Sequence, residues 1–222
     1  MAIYYQVQER RVQIGTLLSG IFSELNVIRR ELAIYFGGFA AVAVLADLLG
    51  MIRGPIALAA TFAYFIGQYL LYQAMLRKAG MLRDERKKVF SFFAMAIVLA
   101  VPIYMGTLFF VIPGLILGAK WIMAPTYLVA REGNLFHAIG ESWKASEFNT
   151  VNLTLAYFVV WLGWVIVASI MTGGESAVRG GRDPSVLTWI SVHLLSVLMM
   201  GLSMSAYRHL NDETETLAGV FQ

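Results

Sequence analysis

Residues 89–130 read VFSFFAMAIVLAVPIYMGTLFFVIPGLILGAKWIMAPTYLVA, forty-two positions with one charged side chain, Lys120. Two apolar runs lie within them, 89–110 and 114–130, joined by a turn at Pro113–Gly114 that carries no charge. An apolar helix of about 20 residues matches the hydrocarbon thickness of a bilayer, and a tight hairpin of two such helices is a membrane feature, not a soluble core. Proline at 102 predicts a kink within the first of the pair.

The pattern repeats on both sides. Further apolar stretches occur at 32–52, 55–76, 150–172 and 185–206, and all six together hold two of the 31 charged side chains, Asp47 and Lys120. The whole chain of 222 residues is 59% hydrophobic and 14% charged, with a mean hydropathy of +0.68. Soluble domains average about 45–50% apolar and about 25% charged. The expected fold is all-α: a polytopic membrane protein with six transmembrane helices, an N-terminal amphipathic helix and a second interfacial helix between helices 4 and 5. The organisation follows as 1–31, a cytoplasmic amphipathic segment; 32–206, the membrane domain; and 207–222, a short polar tail.

Ile14, Leu17, Leu18, Ile21, Phe22, Leu25 and Ile28 recur at helical spacing, with Gln13, Thr16, Ser19, Ser23, Glu24 and Asn26 opposite them. This helix lies on the membrane, where Arg10–Arg11 and Arg29–Arg30 suit anionic headgroups, or it packs on a partner or on the chain's own loops. Between helices 4 and 5, Asn134–Glu147 reads as a surface helix with Leu135, Ile139 and Trp143 as its apolar stripe. Arg53–Gly54 makes a tight connection between the first two spans, and 173–184 a loop between the last two.

Counting Lys and Arg on alternate sides orients the bundle, since positively charged loops stay cytoplasmic. One side holds thirteen, including Arg77, Lys78, Arg83, Arg86, Lys87 and Lys88, and the other three. Both termini are therefore expected in the cytoplasm. The pI near 9.2 then needs no nucleic acid to explain it. Residues 1–13 lack the apolar segment of a signal peptide. Absence of cysteine excludes disulfides, thiolate metal sites and cysteine nucleophiles.

Asp47 and Lys120 each carry a cost of about 2.5–3.5 kcal/mol if placed at mid-bilayer. Counted along straight helices, both lie roughly 7–9 Å below the outer boundary. That predicts an ion pair or shared polar pocket, with a structural pair or a snorkelling lysine as one reading and an ion or proton relay as the other. His193, near Ser191 and Ser196, reads as an interhelical hydrogen bonder, with a metal ligand or a proton carrier as the alternatives. Gln68, Tyr64, Tyr69, Tyr72 and Asn152 read as packing contacts, and Ala59, Ala63, Gly67, Gly114 and Gly118 as points of close helix approach. Intramembrane hydrolysis needs an activated nucleophile or a metal-bound water. Helix 4 contains no serine, His137, His193 and His209 are isolated, and no phosphate-binding glycine loop occurs. No catalytic set and no cofactor site are expected.

Residues 111–149 add a resemblance. Pro113–Gly114, Lys120–Trp121, Pro125, Glu132, Ala138 and Ser142–Trp143 resemble the membrane-domain family named after glycerophosphoryl diester phosphodiesterase, together with related bacterial six-helix inner-membrane proteins. The resemblance implies a fold more than an activity, because catalysis in the namesake proteins belongs to an attached soluble domain. Lys120 stands where many members have Arg, keeping the charge without the bidentate fork. Glu132, just past helix 4, would accept hydrogen bonds from the next helix's first N–H groups, contact Lys144 or the basic loop, or belong to a cytoplasmic polar site. The expected role is that of a non-enzymatic inner-membrane protein serving envelope integrity, lipid organisation or a membrane complex. Its partners are the bilayer, anionic headgroups and a possible membrane protein. The alternative is a small transporter or channel with a polar path through Asp47, Lys120 and His193.

Overall fold

A computed structural model describes residues 12–48, 55–84, 88–179 and 186–220, the side chains at 45–48, 55–58, 174–179, 186 and 212–220 excepted. The Arg53–Gly54 connection lies outside the described residues. Among those described, the fold is helical throughout: α1 (Ile14–Val27), α2 (Arg29–Leu48), α3 (Pro55–Lys78), α4 (Val89–Phe109), α5 (Val111–Lys120), α6 (Ala124–Ala130), α7 (Leu135–Ala145), α8 (Thr150–Arg179) and α9 (Val186–Val220). A single 3-10 turn, Glu147–Asn149, leads into α8.

Four segments of the described residues are long and apolar enough to cross a membrane: Val89–Phe109, Val111–Ala130, Glu147–Gly173 and Leu187–Asn211. Two of them are central, half or nearly half buried, and two are peripheral. The peripheral helices carry long exposed apolar faces. Along α8, Val151, Leu155, Val159, Leu162, Ile166 and Ile170 are all exposed and fall on one stripe; along α4, Ile97, Val101, Tyr104 and Leu108 do the same. Contiguous apolar faces of this length belong against lipid.

Several boundaries depart from the sequence reading. α8 runs through 173 to Arg179, and α9 continues past 206 to Val220. The segment taken as a polar tail therefore supplies Tyr207, Leu210 and Asn211 to the buried interior. The fourth span is two helices, because Pro125 at the start of α6 has no N–H for the Trp121 carbonyl and its ring clashes with that carbonyl. α4 passes through Pro102 as one helix.

α1 packs on the chain's own helices α9, α8 and α3, where the sequence reading had offered the membrane surface, a partner or the chain's loops. The approach is close: a Cβ on Gly20 would lie 2.8 Å from Ser205 Cβ, and one on Gly201 2.8 Å from Ile21 Cγ2. Glu24, assigned to the polar side from its spacing, is 6% exposed and faces Arg208, with Nε 2.8 Å from its carboxylate. Phe22, assigned to the apolar stripe, is exposed. The tertiary contact has turned the helix so that Leu17, Ile21, Glu24 and Ile28 face inward.

α3 stops at Lys78 in a Schellman motif. Gly80 takes φ +69°, Met81 N–H donates to Leu76 O at 2.9 Å and Gly80 N–H to Arg77 O at 3.1 Å, a closure that favours glycine. Beyond it, Arg83 N–H donates to Ala130 O at 2.9 Å, tying the basic connector to the end of α6.

Candidate functional site

Breaking a helix inside a bilayer exposes backbone groups that lipid cannot satisfy. At the α5–α6 break the carbonyls of Lys120 and Ile122 lose their helical donors, and hydroxyls from two distant helices replace them. Ser142 Oγ of α7 donates to Lys120 O at 2.7 Å. Ser203 Oγ of α9 donates to Ile122 O at 2.6 Å and pairs with Thr126 Oγ1 at 2.6 Å. Both serines are fully buried. The Lys120–Pro125 segment is thus held from two sides, by α7 and by α9.

Lys120 itself is half-buried, and its Nζ lies 4.2 Å from the centroid of the Trp143 ring. Trp121 and Trp143 meet with ring centroids 6.0 Å apart. This places Lys120 towards the α7 end of the bundle: neighbouring Gly118 abuts Tyr157, seven residues or about 10 Å along α8 from its start. The depth count from the sequence put it near the opposite boundary. Asp47 lies in α2, but its side chain is outside the described residues, so Trp143 is the partner seen for Lys120.

His193 sits at a second polar centre, buried between α2, α3 and α9. Gln68 Nε2 donates to Tyr35 OH at 2.9 Å, and Tyr35 OH lies 2.7 Å from His193 Nδ1. With Gln68 donating, the Tyr35 proton points to Nδ1, which leaves the neutral ring's proton on Nε2. Phe39 and Tyr64 flank the imidazole, with centroids 4.4 Å and 4.9 Å away. Tyr64 hydrogen bonds Ser196, and Trp164 Nε1 donates to Ser191 O at 2.6 Å. Gly67 permits this packing, since a Cβ there would come within 2.8 Å of the Tyr35 ring. Tyr35 is the member that spacing alone did not single out.

The third polar region is a collar at the α7 end. Lys88 Nζ lies 2.9 Å from Asp84, donates to Leu128 O at 3.0 Å and reaches Arg131 O. Tyr127 OH donates to Asn211 Oδ1 at 2.9 Å, and Arg131 Nε to Tyr207 OH at 3.2 Å. Lys78 Nζ pairs with Glu31 at 2.9 Å, and the hydrogen bond from Lys78 holds the Glu31 carboxyl below its ordinary pKa. Part of the basic excess read as a topology signal is therefore also structural.

Glu132 is exposed, and the capping expected of it is done by Asn134, whose Oδ1 accepts from His137 N–H at 2.9 Å. Lys144 pairs with Glu141 at 3.6 Å. On α7 the buried positions are Ala138 and Ser142, while Trp143, expected on the inner stripe, is 42% exposed. Asn152 donates to Val12 O at 2.9 Å. Among the described residues no group of three or more His, Asp or Glu is placed to hold a metal ion. No family model, curated protein or solved structure matches the chain.

Proposed function

We propose that the chain is a non-enzymatic multi-pass protein of the bacterial cytoplasmic membrane, with six spans and both termini in the cytoplasm, acting as a structural element that organises lipid or holds a membrane complex. The observation that carries this reading is the closure of the intramembrane polar groups on one another. His193 is bonded to Tyr35 and Tyr35 to Gln68, Tyr64 to Ser196, and Ser203 to Thr126 and Ile122 O. Lys120 is turned to the ring of Trp143. Such interhelical hydrogen bonds hold a bundle together.

Transport is the competing reading, and it draws on the His193 cluster. Native mass spectrometry after mild extraction separates the two. Stoichiometric lipid or protein adducts are expected. A lone chain whose liposomes carry a flux abolished by His193→Leu would assign transport instead. Reporter fusions test the orientation: the 77–88 connector must report as cytoplasmic.

A further inference from the structure

Most basic side chains among the described residues are paired within the fold. Lys88 holds Asp84 and two carbonyls, Arg131 a tyrosine and an asparagine, Arg208 Glu24, Lys144 Glu141 and Lys78 Glu31, while Lys120 rests on an indole. Arg29, Arg30 and Arg77 differ: their side chains are exposed and form no ion pair or hydrogen bond.

The three belong to one corner. Lys78, next to Arg77 at the end of α3, donates to Val27 O at 3.0 Å and pairs at 2.9 Å with Glu31, next to Arg30 at the start of α2. That link holds the two helix ends side by side and occupies the corner's acid, so the arginines keep an uncompensated positive charge.

The corner also stands at the end of two apolar runs. Beyond Glu31, α2 carries no charge before Asp47, and α3 carries none before Arg77. At about 100° per residue, Ile34 and Val44 fall within about 40° of Arg30 around α2, and Ile66 and Leu70 within about 20° of Arg77 around α3. All four are exposed. Each cation is thus at the foot of an exposed apolar stripe on its own helix. Guanidinium matches phosphate with two parallel N–H donors, and basic residues beside a span attract anionic headgroups.

We propose that Arg29, Arg30 and Arg77 bind the phosphate of an anionic phospholipid, whose acyl chains lie along the exposed stripes of α2 and α3. The Lys78–Glu31 link holds the corner in place before the lipid arrives. This site rests on the membrane-embedded, lipid-organising reading above.

The test is native mass spectrometry of the full chain, extracted from membranes and exchanged into mixtures of phosphatidylglycerol and phosphatidylcholine. Wild type is expected to retain phosphatidylglycerol in preference. Arg77→Gln lowers that preference about fivefold, the effect of one basic residue at a membrane surface, and Arg29→Gln/Arg30→Gln lowers it further. Lys144→Gln removes a charge on α7 that Glu141 already pairs and leaves the preference unchanged, which separates a site at this corner from the pull of net charge. Should the double variant fail to assemble, Arg77→Gln and the wild-type titration still decide. An unselective wild type, a preference that survives loss of the arginines, or one equally sensitive to Lys144→Gln overturns the site. Displacement of the lipid by inorganic phosphate would assign the corner to a soluble anion and overturn it too. A chain recovered in the soluble fraction would overturn the membrane reading itself; a membrane-extracted chain indifferent to headgroup charge overturns only the lipid site.

Discussion

At His193 the bundle meets a buried polar side chain with other side chains, drawn from α2 and α3, which lie next to each other in sequence. At the Lys120–Pro125 break it meets unsatisfied backbone with serines from α7 and α9, and turns the charge of Lys120 out onto an indole. At these two places the neutral groups are paired inside, and the one charge rests on an indole face. The physical reason is the difference in cost: a neutral donor or acceptor needs one partner, whereas an ion in hydrocarbon needs a counterion or water.

The largest effect is expected at the hairpin that carries the break. A Cβ on Gly114 would lie 2.5 Å from Thr107 N, a backbone atom with little room to give. Gly114→Leu should therefore destabilise by about 3 kcal/mol or more, seen as loss of the monodisperse protein on extraction, far beyond an isosteric change elsewhere on α5. A well-behaved variant would show that α4 and α5 are not packed as described.

Next in size is Ser203→Ala, which leaves Ile122 O without its donor and Thr126 without its partner. A cost of about 1–2 kcal/mol is expected, read as a lower Tm in detergent, with Ser142→Ala costing less because it serves one carbonyl. Equal and negligible losses would mean that lipid or water satisfies the break. At the other centre, Tyr35→Phe should cost about 1 kcal/mol or less, since Gln68 and His193 are side chains that can reorient, as the carbonyls at the break cannot. If Tyr35→Phe exceeds Ser203→Ala, the contrast between the two centres is reversed.

The smallest effect is at the collar. The Glu31 carboxyl is held low by Lys78, so its stabilisation is present above its unfolded pKa and is lost as pH falls through the folded one. The Tm difference between wild type and Glu31→Gln should be small at about pH 7 and vanish below the ordinary carboxylate range. A difference that persists in acid would assign Glu31 another partner.

What could be read from the sequence was uneven for physical reasons. Lys120 and His193 stand out as polar residues in apolar runs, and Pro125 announces a helix whose hydrogen bonding must fail. The donors that repair it do not stand out, because Ser142 and Ser203 are ordinary residues brought in from 22 and 81 positions away. Glu24 misled for the same reason. Spacing marks it as the polar side of α1, and only Arg208, 184 residues later, makes it an inner residue. Trp143 went the other way, from inner stripe to exposed partner of Lys120, because α7 is anchored through Ala138 and Ser142.

By itself, the sequence determined the solvent. Runs of apolar residues of bilayer length, interrupted by charge only at Asp47 and Lys120, point to helices in a membrane, whatever their arrangement. Only the tertiary structure decided how the remaining polar groups are spent, because the side-chain hydrogen bonds of Ser142, Ser203, Tyr35 and His193 join different helices. Hydropathy is a property of a window of residues, while satisfaction of a carbonyl or an ammonium is a property of what folds against it.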